Sequence, residues 1–331
     1  MAQTTKDLTG QVGSFYSLTP ERVLDAVARV GQEPTGLCFA LNSLENRVYE
    51  VELEDRQRVV AKFYRPGRWS RDTILDEHRV LRAIADAEIP TCPPLALPSG
   101  STLEQTPEGI HVALFPRLVG RGVDELAGDD YHRLGQLIGR IHVVTAQLGL
   151  RHRPEISPAT YGAQCLAIVL EQGRLTGALR PRYEQAAQQL IELAQARWRD
   201  VATFVVHGDC HRGNLLAGRD GWFFLDFDDC AVGPAVQDLW LLLPARVADC
   251  WPEVEALLAG YEQFRTFPRE SLGLIEALRG LRYLRYAAWI ATRWDDPAFG
   301  RAFPDFGSER YWQQQVADLH EQIAQLTAEP R

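Results

Sequence analysis

Phe204-Val205-Val206-His207-Gly208-Asp209-Cys210-His211-Arg212-Gly213-Asn214-Leu215-Leu216 is followed, after the turn Gly218-Arg219-Asp220-Gly221, by Trp222-Phe223-Phe224-Leu225-Asp226-Phe227-Asp228-Asp229. Each apolar flank is long enough to bury a short strand, which forces the polar residues between them onto loops at the strand ends. Three oxygen-bearing side chains, Asp209, Asn214 and Asp226, are therefore expected to converge there.

Upstream, the pattern is mixed strand and helix. Thr19-Pro20-Glu21 reads as an N-cap with Pro at the first helical position, Val23, Leu24 and Val27 follow at helical spacing, and Gly31 is the stop. Tyr49, Val51 and Leu53 alternate with Glu50 and Glu52, the polar turn 54–58 follows, and Val59-Val60-Ala61-Lys62-Phe63-Tyr64 resumes the strand, so a hairpin is predicted with Lys62 on its second arm. Ser70 caps a predicted helix with Ile74, Glu77, Leu81 and Ile84 on one face. A carboxylate on that apolar stripe needs a partner, since an unpaired buried charge costs several kcal/mol. Lys62 is the candidate. Val112–Leu118 reads as an edge strand running into a Pro-containing connection, and a lobe boundary is placed near residue 118, giving lobes 1–118 and 119–331. From Asp129 one long helix is predicted to run to Gly149, and further helices over 236–243, 252–264, 271–294 and 308–327. The fold class expected is α+β, with a small N-terminal sheet lobe carrying one main helix and a larger, mostly helical C-terminal lobe.

Composition narrows the function classes. The 331 residues are 46% hydrophobic and 24% charged, with a formal charge of −9, the profile of a globular chain. The negative balance disfavours a nucleic-acid partner, which would want a basic surface. Met1–Asp7 lacks the apolar core of an export signal and no apolar run approaches the ~18 residues of a spanning helix, so a cytoplasmic chain without a membrane partner is expected, its oligomeric state left open with a monomer favoured. Six scattered cysteines with no C-x-x-C pair are expected to be reduced, and His207, Cys210 and His211 lack the second close ligand pair of a zinc site.

Phosphoryl transfer needs the residue set found in the opening stretch. Mg²⁺ is a hard ion that takes oxygen ligands, so an Asn amide and an Asp carboxylate hold it while phosphates and waters fill the other positions. Asp209, left free of metal, accepts a hydrogen bond from the attacking hydroxyl.

His-Gly-Asp-x-x-x-x-Asn followed by Asp-Phe-Asp, with a strand Lys and a helix Glu upstream, resembles the aminoglycoside phosphotransferase and choline kinase group of the protein-kinase-like fold. Asn46-Arg47-Val48-Tyr49, Val60–Pro66, Asp76-Glu77-His78, Gly233–Trp240, Trp294–Phe299 and Tyr311-Trp312 resemble a bacterial stress-response branch of that group, from about residue 15 to 325. The resemblance implies a bilobal kinase using ATP and Mg²⁺, with Asp209 as proton acceptor and Asn214 and Asp226 as metal ligands. Lys62 would pair with Glu77 and hold nucleotide phosphates, and Ser43 would lie in the loop over the nucleotide. It further implies cytoplasmic, autophosphorylating serine/threonine protein kinase activity in stress protection.

Other readings stand beside these. Asp209, Asn214 and Asp226 are singly ordinary cap or turn residues, Lys62–Glu77 a structural ion pair, and Ser43 a turn residue. His207 reads as a structural histidine bonding backbone, Asp228 and Asp229 as supports, and Asp238 as a brace for the loop. Trp289, Trp294 and Trp312 read as packing residues rather than a cage for a quaternary ammonium. No Gly-x-Gly-x-x-Gly is present near the N-terminus, and only a few residues separate Asp226 from Gly233, which leaves no room for a long substrate-docking segment. A small-molecule kinase acting on choline, an aminoglycoside or a similar alcohol, and a nucleotide-binding pseudokinase, are the alternatives.

Overall fold

The computed structural model describes residues 10–219 and 221–328. Met1–Asp7 and Asp220 lie outside them. The chain forms two compact units, neither continuous in sequence: the first comprises residues up to Leu126, Gln147–Arg153 and His211–Asp229, the second Ala127–Ala146, Pro154–Cys210 and residues from Cys230 onward. The segment bearing Asn214 and Asp226 falls in the first unit, where its Leu215–Gly218 strand pairs with residues 120–122.

In the first unit a five-stranded antiparallel sheet has the order β1 (Pro34–Ala40), β2 (Arg47–Leu53), β3 (Arg58–Phe63), β5 (His111–Pro116), β4 (Glu104–Gln105). Its alternation sorts the side chains. Val51, Leu53, Val59, Ala61, Phe63, Val112 and Leu114 bury one face in a core shared with Val23, Ala26 and Val27 of α1 (Pro20–Arg29). Thr19 caps α1 through the Arg22 N–H and Pro20 sits in its first turn, as predicted. Lys62, between Ala61 and Phe63, is thereby turned to the opposite face, in register with Val48 of β2 and Ala113 of β5. α2 (Arg71–Asp86) starts at Ser70, whose hydroxyl accepts the Thr73 N–H (3.1 Å), and buries Ile74, Glu77, Leu81 and Ile84.

The segment read as an edge strand is internal. β5 pairs with β3 on one side and with the two-residue β4 on the other, a strand too short to leave an alternation signal. The first unit also holds a small sheet of β6 (Gly120–Gly122), β8 (Leu215–Gly218) and β9 (Gly221–Phe224) in the order β6-β8-β9.

The second unit is helical except for β7 (Phe204–Val206) and β10 (Ala231–Gly233), which pair antiparallel. β10 was not anticipated, its three residues being too few to show a period. α3 (Asp130–Thr145) packs against α7 (Trp251–Tyr261) at backbone contact: a Cβ on Gly135 would fall 2.0 Å from the Leu257 carbonyl oxygen, and one on Gly260 2.0 Å from that of His132. α3 ends at Thr145, four residues before the predicted stop, with Ala146 as cap. A helical stretch at Pro158–Gln164 leads into α4 (Cys165–Gln172), followed by α5 (Leu179–Arg197) and the one-turn α6 (Gln237–Trp240). α8 (Ile275–Thr292), α9 (Pro297–Ala302) and α10 (Glu309–Thr327) complete the unit. The predicted 271–294 helix is thus two pieces, a 3₁₀ turn at Arg269–Leu274 and then α8. No helix of the described residues is long and apolar enough to cross a membrane.

Candidate functional site

In the first unit the predicted Lys62–Glu77 pair forms, Nζ to Oε1 3.0 Å, with both side chains buried. The same ammonium lies 3.2 Å from Asp226 Oδ1 and 3.6 Å from Asp228 Oδ1, and 4.8 Å from the centre of the Tyr64 ring. Burial works against the charge on Lys62, but the surrounding carboxylates, Asp228 and Glu77 foremost, outweigh it and hold its pKa well above that of an ordinary lysine. Burial pushes Glu77 up to about 7 even though Lys62 pulls the other way.

Asp226 closes the β8–β9 hairpin. Leu215 is paired with Phe224, and the Leu225 N–H donates to the Asn214 carbonyl (2.8 Å), so the two predicted metal-bearing residues flank the same rung of the ladder. Asp226 adopts φ +59, a left-handed conformation that Asp tolerates better than most residues, and its side chain is 53% exposed. Buried Lys62 thus reaches a carboxylate that solvent also reaches.

Asp228 is where reading the sequence fell short. It is fully buried: Arg68 pairs with it and reaches Asp229 as well (2.8 Å), Asn46 donates to it (3.0 Å), and Arg153 donates to its main-chain carbonyl. Burial raises its pKa, but Arg68 and Lys62 bring it below the usual carboxylate value. Arg68, Arg153 and Asn46, which hold Asp228, carried no local signal of this contact. The loop at 41–46, which holds Ser43, is tied down by its neighbours rather than by glycines. Arg65 donates to the Glu45 and Leu44 carbonyls (both 2.9 Å) and pairs with the Glu45 carboxylate (3.1 Å). Ser43 is half-buried within it.

Asp209 belongs to the second unit. Gly208, at φ +86, makes the turn after β7 that a side chain would strain. Asp238, fully buried at the start of α6, accepts the His207 N–H (2.7 Å) and the Gly208 N–H (2.8 Å) and bonds His142 Nε2 (2.9 Å), and Gln237 donates to the Gly208 carbonyl (2.7 Å). His207 Nδ1 accepts the Asp209 N–H (3.2 Å), the backbone role expected for it. Asp209 itself is paired with Arg282 of α8, Oδ1 to Nη1 2.9 Å, with its side chain 24% exposed. Arg282 lies within a helix predicted only for packing, and nothing in its neighbours marked it out.

The other readings resolve as follows. Among the described residues no group of three or more His, Cys, Asp and Glu is placed to hold a metal, and Cys210 is a buried thiol whose pKa burial raises well above normal. All six cysteines are free thiols. Trp289 packs on Phe299 (4.8 Å between ring centres), Trp294 on Phe306 (5.0 Å) and the fully buried Trp312 on Tyr183 (5.1 Å), so the three indoles serve packing and form no common cage.

The antiparallel sheet with a buried Lys–Glu pair, followed by a helical region bearing a His-Gly-Asp turn, defines a phosphotransferase of the kinase-like fold. Residues 39–281 match the phosphotransferase enzyme family, to which the chain belongs. It is 38% identical over 318 residues, 96% of each chain, to stress response kinase A of Escherichia coli (strain K12), and equally so to the serine/threonine protein kinase RdoA of Salmonella typhimurium (strain LT2). Among solved structures it is similar to the amicoumacin kinase hAmiN in complex with AMP-PNP and Ca²⁺ (TM-score 0.74, 20% identity, 93% of each chain). A microcompartment-associated aminopropanol kinase also aligns (TM-score 0.67, 18% identity, 92% of this chain and 95% of that one). These two likenesses concern the fold.

Proposed function

We propose that this protein transfers the γ-phosphoryl group of ATP to a serine or threonine hydroxyl of a protein, its own chain included, as part of a cytoplasmic stress response. The observation that carries the reading is Lys62: one buried ammonium tied to a helix carboxylate at 3.0 Å and to the solvent-reaching Asp226 at 3.2 Å. A fixed cation beside an accessible acid is what binding of anionic phosphates next to a divalent ion requires. The near full-length likeness to the two serine/threonine and stress response kinases supports the choice of acceptor.

Asn214 and Asp226, neighbours along the open end of the β8–β9 hairpin, offer hard oxygen donors and would hold Mg²⁺, which when bound neutralises phosphate charge. Lys62, oriented by Glu77, would hold the nucleotide phosphates, and Ser43 would contact them from the 41–46 loop. Asp209 accepts a hydrogen bond from the acceptor hydroxyl and takes its proton as the oxygen attacks the γ-phosphorus. The bond from that phosphorus to the β,γ-bridging oxygen breaks in line, and ADP leaves. Rate comes mainly from position and charge, with Asp209 held by the bonds around Asp238.

One observation favours a small alcohol as acceptor: Asp226 and β10 are joined by a single 3₁₀ turn, Phe227–Asp229, with no docking segment. Incubating the full chain with γ-labelled ATP and Mg²⁺ decides. Label on Ser or Thr of protein supports the proposal, and label confined to added choline or aminoglycoside replaces it with the small-molecule reading. Asp209→Asn is expected to lower transfer about a thousandfold while nucleotide affinity, read by equilibrium titration, stays within a few fold. A wild-type chain that binds nucleotide and labels no acceptor is a pseudokinase.

A further inference from the structure

α8 carries arginines and aromatic residues on the side of the second unit that holds Asp209. From Arg282, steps of four, three and four residues lead to Tyr286, Trp289 and Arg293, the spacing of one helix face, and Arg285 lies beside it over the Tyr161 ring (4.2 Å). Tyr286 is 45% exposed and its ring packs on Trp289 (5.4 Å). Trp289 is half-buried on Phe299 (4.8 Å) and backs the exposed Tyr286 ring, which stands among arginines; tyrosine and arginine are residue types enriched at binding hot spots. Arg282 begins this face at the atom that matters: its Nη1 holds Asp209 Oδ1 at 2.9 Å, while the side chain keeps 38% of its surface open. A guanidinium presents five N–H donors in a rigid fork, and the pair with Asp209 takes one.

We infer that the acceptor is an acidic segment of protein, a Ser or Thr flanked by Asp or Glu, read by Arg282 and the α8 face. This rests on Asp209 being the residue that orients the hydroxyl. A hydroxyl bonded to Asp209 sits one carboxylate away from the Arg282 guanidinium, so a neighbouring acidic side chain on the acceptor reaches a bidentate partner. The chain carries −9 overall, so guanidinium donors beside Asp209 are a local attraction for an acidic segment that the chain as a whole does not offer.

The test uses the full chain with γ-labelled ATP, Mg²⁺ and three serine peptides of equal length flanked by Glu, Lys or Ala. The Glu peptide is expected to exceed the Lys peptide in kcat/KM by about tenfold. Arg282→Glu is expected to reverse that order and Arg282→Lys to keep it, whereas a purely structural role would lower all three peptides together. Should Arg282→Glu fail to fold, as read by its melting curve, Arg293→Glu is expected to narrow the preference. Equal use of the three peptides by the wild type, or an order indifferent to these substitutions, overturns the inference and leaves protein phosphorylation standing. Label in added choline or aminoglycoside and in no peptide overturns both.

Discussion

The two regions that carry the proposed chemistry are built on opposite principles. Around Lys62, charged side chains are buried together and hold one another: an ammonium, two buried carboxylates and the guanidinium of Arg68 sit in one cluster, with Asp226 as its exposed end. Around Asp209, the working side chain is partly exposed and paired with Arg282, and its main chain is fixed from beneath, by a buried carboxylate that gathers two N–H groups and a histidine. The first arrangement places a charge by balancing it, so removal of one member strands the rest. The second places a charge by fixing the backbone, so the acid on top can change without disturbing the turn below.

Lys62→Met should expose this difference most. It strands Glu77 and weakens the setting of Asp228, and a loss of about 3–5 kcal/mol is expected in denaturant unfolding. Adding Glu77→Leu to that variant is expected to recover most of the stability and none of the phosphoryl transfer. If the double variant is no more stable than the single one, the cluster is not held by mutual balance.

Asp238→Asn probes the other region. The amide keeps an acceptor but loses the charge that gathers the His207 and Gly208 N–H groups and His142, and a loss of about 2–3 kcal/mol is expected, with transfer falling in step. Unchanged melting and activity would show that the turn holds its shape without this carboxylate.

A more graded effect, spread over several pH units, belongs to the first region alone. His78, on α2 beside the Lys62 cluster, bonds the Tyr64 hydroxyl (3.0 Å) and Thr102 Oγ1 (2.7 Å), and burial, helped by the charge of Lys62, lowers its pKa to about 3. The unfolded chain therefore binds a proton that the folded chain refuses between about pH 3 and 6.5. Its contribution is complete above pH 6.5 and is lost on acidification, at about 1.4 kcal/mol per pH unit. Glu77, with its raised value, acts in the opposite sense: between pH 4.5 and about 7 its deprotonation makes stability fall as pH rises. His78→Gln is thus expected to flatten the acid limb of the melting temperature against pH, and an unaltered profile would remove His78 from the account.

Much of this was written in one dimension. Period-two alternation around Lys62, the Ser70 cap and the helical spacing of Glu77 are local signals, and each acts through neighbours a few residues away; so does the polar break between the two apolar runs that set Asn214 and Asp226 on one hairpin. Residues at 204–229 therefore announced their strands and polar turns before any fold was known. What only the tertiary structure decided is the company those residues keep. Arg68 lies 160 positions from Asp228, Asn46 182 and Arg282 73 from Asp209, and an arginine on a helix face or an asparagine in a turn has the same local pattern whether it braces a site or faces water. Their roles come from folding-dependent proximity and from the burial that makes an unpaired charge costly, and neither is a property of sequence spacing.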